Sequence, residues 1–148
     1  AKAKRVVSMT NLRGIGTAMQ MYASDHRDKL PPDFAALVAG GYVTAPTQGG
    51  QADNIFASPA GHRTPGFQNG EMIGECDYVY CHPGLRLAEI PRPGDFVVVY
   101  ERPENYNGRG TNVLFADGHV EWVDRQRYEQ LMAEAERMLK PPGGGEDF

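Results

Sequence analysis

Apolar residues in the first part of the chain recur at the spacing of one helix face. Met9, Leu12, Ile15, Met19 and Tyr22 stand three or four apart between Val6 and Ser24, which places them on a single stripe. Gly14 and Gly16 interrupt that run. Each lowers helix propensity by about 1 kcal/mol relative to Ala, so an apolar surface must support the helix. Pro31-Pro32 is a firm stop. Asp33 is then placed to cap a short helix carrying Phe34, Leu37 and Val38, ended by Gly40-Gly41. Near the other end, Tyr128, Leu131, Met132, Ala135, Met138 and Leu139 mark a further helix over Arg125 to Leu139, with Asp124 as its cap.

Strand patterns lie between these helices. Phe96-Val97-Val98-Val99-Tyr100 is the most β-prone run and predicts a central strand buried on both faces. Cys76 to Cys81, rich in Tyr and Val, predicts another, and Ile55-Phe56 a short one. Asp117-Gly118 between Asn112 and Val123 marks a two-residue type I′ hairpin, because both central residues of that turn need positive φ. The register then pairs Ala116 with His119, Phe115 with Val120 and Val113 with Trp122. Val113, Phe115, Val120 and Trp122 form a core face for the first helix to cover. Asn112, Leu114, Ala116, His119 and Glu121 take the other face. Leu85, Leu87 and Ile90 predict one helical turn after His82-Pro83-Gly84. Thr44 to Gly74 is poor in regular signals, which makes it either a packed functional loop or a mobile one.

The elements sum to an α+β domain. An N-terminal amphipathic helix packs on a three- or four-stranded, mainly antiparallel sheet, with a C-terminal helix alongside. Its 148 residues suffice for a single core, so residues 1–140 form one domain and 141–148 a disordered tail. A net charge of −4 without a basic patch argues against a nucleic-acid partner. No apolar run approaches the roughly 20 residues of a membrane helix.

Candidate chemistry is sparse. Cys76 and Cys81, five apart on a strand, point to opposite faces and are expected as free thiols. With His82 they suggest a metal, but no second pair matches them. His62 reads as a solvated loop residue. Gly108-Arg109-Gly110 precedes a strand, so it offers no helix-terminus amides to a phosphate. Asp117, His119 and Glu121 alternate along the hairpin and share its polar edge. A divalent metal or acid–base role there makes a small metal-dependent enzyme or ligand-binding domain the alternative reading.

Asn112-Val113-Leu114-Phe115-Ala116-Asp117-Gly118-His119-Val120-Glu121-Trp122 resembles the C-terminal signature of bacterial prepilin-like proteins, which are pseudopilin relatives. That signature is a late His, nine residues, then Asp-Gly, and Asn107 stands at the position of the His. Asn11-Leu12-Arg13-Gly14-Ile15-Gly16 and Met21-Tyr22-Ala23-Ser24-Asp25 are similar to the amphipathic half of the family's spine helix. Ala57-Ser58-Pro59-Ala60 stands where the family often has a Cys-Pro element. Lys2, Lys4 and Arg5 crowd the start of the first helix, against its macrodipole. That crowding, with no N-cap residue among the first positions, fits a spine, residues 1–26, that is the continuation of a longer helix. The resemblance implies a structural subunit of a type II secretion or type IV pilus-like assembly, not an enzyme. It further implies an inner-membrane anchor upstream, this domain in the periplasm or cell exterior, and other pseudopilin subunits as partners, joined as a polymer through the N-terminal helix. No catalytic, cofactor or metal residue is assigned. Major pseudopilins as a family bind calcium in a loop of the β-domain; that loop's ligands do not map onto this sequence, and Asp95, Glu101 and Glu104 are guesses for them.

Overall fold

The computed structural model describes residues 2–46 and 54–139. The expected tail, 141–148, lies outside them. The first helix, α1, runs Lys2–Asp25, a turn earlier than the apolar stripe alone marks. Leu12, Ile15, Ala18, Met19 and Ala23 are buried on its inner face, with Met9 and Tyr22 half-buried. A short helix α2, Phe34–Ala39, follows. The Asp33 side chain caps it by accepting from Ala36 N at 2.8 Å.

Residues 54–65 are packed rather than loose. Phe56, Ala57 and Ser58 are buried, and Phe34 and Phe67 flank the Phe56 ring at 5.1 and 5.0 Å. Ile55-Phe56 is a turn, not a strand, because Asn54 folds its side chain back onto Phe56 N at 3.0 Å. Strands β1, Gly66–Gln68, and β2, Glu71–Ile73, form a small hairpin instead. Its turn is Asn69-Gly70, with φ of 56° and 78°, the positive pair that a two-residue type I′ turn requires.

The main sheet is an antiparallel meander in the order β3-β4-β5-β6. Its strands are Tyr78–Tyr80, Val97–Glu101, Gly110–Phe115 and Val120–Asp124. β4 is a central strand buried on both faces, as expected. A bulge between Val97 and Val99 breaks its alternation, so Val98 and Val99 join one core cluster and Val97 the other. The third helix, α3, runs Arg125–Leu139, and Asp124 caps it by accepting from Arg127 N at 2.8 Å.

The hairpin between β5 and β6 differs from the sequence reading. Leu114 pairs with Val120, Asn112 with Trp122 and Val113 with Glu121. Gly118 N donates to Phe115 O at 2.9 Å and Phe115 N to His119 O at 2.9 Å. The loop is therefore three residues, Ala116-Asp117-Gly118, with Gly118 at φ +96° and Asp117 outside the left-handed region. That is a one-residue bulged turn rather than a type I′ turn, and it slips the register by one. The expected core face is thus split. Leu114 and Val120 pack on the α1 side, while Val113 and Phe115 pack with Leu131 of α3 on the other. The sheet is covered on both faces. On the α1 side Gly16 permits close approach, since a Cβ there would lie 2.7 Å from Leu114 Cδ1.

Candidate functional site

Glu101 ends β4 on the α1 side, and none of it is exposed. Five side chains donate to its carboxylate. Oε1 accepts from Ser8 Oγ at 2.6 Å, Tyr106 Oη at 2.9 Å and Asn112 Nδ2 at 3.2 Å. Oε2 accepts from Ser58 Oγ at 2.5 Å and Asn105 Nδ2 at 3.0 Å. A second tier orients the first. Asn11 Nδ2 donates to Tyr78 Oη at 3.3 Å and to Ala57 O at 3.1 Å, and Tyr78 Oη bonds Ser8 Oγ at 2.7 Å. Burial pushes the Tyr78 and Tyr106 phenols well above their ordinary range, so both remain donors.

Among the described residues no cation pairs with this carboxylate. A buried carboxylate is tolerated only when hydrogen bonds replace its lost water. Here α1, the 54–65 segment, β5 and the 3-10 turn Pro103–Tyr106 each supply a donor, and β3 supplies Tyr78 behind Ser8. Asn112 shows how fully the site is committed. Its amide hydrogens go to Glu101 and to Arg5 O at 3.2 Å. Among the described residues its Oδ1 has no partner, because turning the amide over would set oxygen against carboxylate.

Sequence reasoning missed this cage. The available signal was the parity of Glu101 with Val99, which puts a carboxylate on the core side of the most β-prone run. Asp95, Glu101 and Glu104, the carboxylates named for calcium, each have protein partners. Glu101 is enclosed, Asp95 pairs with Arg92 at 3.6 Å and Glu104 with Arg63 at 3.1 Å. Arg63 also binds the fully buried Asp77 at 2.7 Å. Asp77 fills the space beside Gly61, where a Cβ would overlap its carboxylate. That pair straps residues 61–63 to β3.

The structure does bring Asp117, His119 and Glu121 together. His119 Nδ1 lies 2.5 Å from Asp117 Oδ1 and Nε2 lies 2.7 Å from Glu121 Oε2. The ring stacks on Phe115 with centroids 4.3 Å apart. Burial disfavours the charged ring, but hydrogen bonds to Asp117 and Glu121 outweigh it and raise the His119 pKa. Both ring nitrogens face carboxylates, so this is a clamp on an imidazolium. Among the described residues no group of three or more His, Cys, Asp or Glu is placed to hold a metal ion.

Cys76 and Cys81 are free thiols, each pushed up to about 12 mainly by burial, which leaves them poor nucleophiles. His82 pairs with Glu136 at 3.2 Å instead of with the cysteines. His62 is exposed.

The outward face of α1 is the second feature. Ala3, Val7, Thr10, Gly14, Thr17, Met21 and Ser24 are all exposed and alternate at spacings of four and three. None is charged. Val7 and Met21 are 51% and 53% exposed, and Val6 beside them is 49% exposed. A surface helix ordinarily turns charge outward. On α1 the charged residues Lys2, Lys4, Arg5, Arg13 and Asp25 flank the stripe instead.

No protein-family model, no curated protein and no solved structure matches the chain. Among the described residues no helix is long and apolar enough to cross a membrane.

Proposed function

We propose that this chain is the assembly-forming domain of a pseudopilin-like subunit, a structural component of a type II secretion or type IV pilus-like machine. The observation that carries this reading is the outer stripe of α1. Alternating four and three spacing is that by which helices pack on one another through apolar residues, here Ala3, Val7 and Met21 with small or hydroxyl residues between them. Small residues such as Ala3, Gly14 and Ser24 let two backbones approach closely. A stripe of this kind on the exposed face of a helix that already packs on its own sheet fits a second copy of that helix.

Two further features support the reading. The first turn of α1 holds no acidic residue and carries Lys2, Lys4 and Arg5, the charge pattern of a helix interior rather than of a helix start. The fold is a long N-terminal helix laid on an antiparallel meander, which is compatible with a pilin-like domain. In this proposal α1 continues upstream into an apolar segment rooted in the inner membrane, and the domain stands in the periplasm or cell exterior. Other pseudopilin subunits are its partners, and it performs no catalysis.

The test is to read the gene upstream of Ala1. The proposal expects a basic leader, a Gly, a Phe-Thr-Leu-like start with Glu, and an apolar run in frame with α1. A start codon placed directly before the lysine-rich turn would overturn it. The metal-dependent alternative on the Asp117 edge has weaker support, since His119 offers both nitrogens to carboxylates.

A further inference from the structure

The helix α1 is held to the sheet by two anchors of different chemistry. From Leu12 onward the anchor is apolar: Leu12, Ile15, Ala18, Met19 and Ala23 are buried in the core. Before Leu12, no apolar side chain of α1 is buried among the described residues. Met9 is half-buried there, and the specific contacts that hold this portion come from polar groups. Ser8 donates to Glu101, Asn11 reaches Tyr78 and Ala57 O, Arg5 O accepts from Asn112, and the Arg5 guanidinium lies 4.4 Å over the Trp122 ring. Ser8 and Asn112 bond Glu101 directly and Tyr78 reaches it through Ser8, so that one carboxylate is the node of the polar anchor.

We infer that residues 2–11 of α1 form a releasable arm whose dock is the Glu101 cage, while residues 12–25 stay fixed. The physical basis is the contrast between the anchors. Apolar burial is non-directional and degrades gradually when a contact is lost. A buried carboxylate with no cation depends on its donors acting together, because each missing donor leaves charge that neither water nor protein compensates. The polar anchor therefore closes or opens as a unit. Glu101 also grips Ser58, Asn105 and Tyr106, so opening frees the 54–65 segment and the turn Pro103–Tyr106 from the same point. This inference does not rest on the proposed assembly role.

Amide hydrogen exchange, read residue by residue on the chain and on Glu101→Gln, tests it. Gln keeps the shape but turns an NH2 group toward the cage's donors. The expected result is a step in protection within one helix: in Glu101→Gln, Val7 to Asn11 exchange within about tenfold of unprotected amides, while Ile15 to Ala23 keep the protection set by global unfolding. Val7 to Asn11 protected to the same level as Ile15 to Ala23 in Glu101→Gln would overturn the inference, as would a variant that fails to fold. Ser8→Ala is the milder companion, since it removes only the donor that α1 itself contributes. It should split the helix at the same place, with acceleration of about threefold or more before Leu12. Unaltered rates at Val7 to Asn11 in Ser8→Ala would likewise overturn it.

Discussion

Ser8 and Glu101, 93 positions apart in the chain, meet across 2.6 Å. The Ser8 hydroxyl donates to the carboxylate and also meets the phenol of Tyr78 at 2.7 Å. This contact sets the height of α1 on the sheet. An apolar stripe alone does not fix such a position, since the spacing that buries Leu12 and Ile15 repeats with every turn. Glu101→Gln should lower unfolding free energy by about 3 kcal/mol or more, and Ser8→Ala by about 1–3 kcal/mol. Denaturant midpoints of the two variants check the order, and a larger loss for Ser8→Ala would contradict it.

Gly16 is where helix and sheet come closest. A Cβ there would meet Leu114 Cδ1 at 2.7 Å and Gly118 O at 3.4 Å. Gly16→Val should cost about 1–3 kcal/mol through overpacking, despite any gain in backbone stiffness. Gly14 faces outward, with only Ile55 within 3.7 Å of an added Cβ. Gly14→Ala is therefore expected to leave stability equal or raise it by up to about 1 kcal/mol. Thermal melting of the pair separates the two glycines.

The bulged turn makes a different demand on each of its last two residues. Gly118 sits at φ +96°, so Gly118→Val should cost about 1–2 kcal/mol from backbone strain. Asp117 needs no left-handed backbone and contributes through its side chain, which accepts from His119 N at 3.1 Å. Asp117→Ala should therefore lose less than Gly118→Val. Equal losses measured by chemical denaturation would restore the type I′ assignment.

The His119 clamp gives the fold a pH dependence of defined sign. The folded pKa of His119 is raised, so its contribution is full below the ordinary value of 6.5 and is lost as pH rises through the folded value. For Asp117, burial acts upward but the hydrogen bond from His119 prevails and lowers it. Its contribution is present above the ordinary 3.8 and is lost as pH falls through the lowered value. The side chains of His119 and Asp117 are 39% and 44% exposed, so solvent screening holds the gain to about 1 kcal/mol or less. Unfolding of the chain and of His119→Gln should differ more near pH 6 than near pH 9, and a difference that is constant over that range would contradict the clamp.

The helices were legible because their signals are local. Asp33 and Asp124 cap where their spacing predicts, and the stripe from Tyr128 to Leu139 marks α3 to the residue. β4 was legible from its run of valines, since a central strand needs no alternation. The β5–β6 register was not, because Asp-Gly serves both a two-residue and a three-residue loop and the choice turns on one φ angle at Asp117. The fold forms its type I′ turn at Asn69-Gly70 instead, inside the stretch read as poor in regular signals. The Glu101 cage was beyond reach for a different reason. Its donors come from Ser8, Ser58, Asn105, Tyr106 and Asn112, and only the folded chain brings segments so distant in sequence together.

The assembly reading predicts contact between copies along one line of α1. Cysteine cross-linking in cells carrying the complete gene tests this most directly, because the native Cys76 and Cys81 are poorly reactive thiols. Thr10→Cys or Thr17→Cys on the outer stripe should form covalent multimers on mild oxidation, while Glu129→Cys on α3 should remain monomeric. Monomers at both stripe positions, or equal cross-linking from α3, would contradict a spine packed on its neighbours.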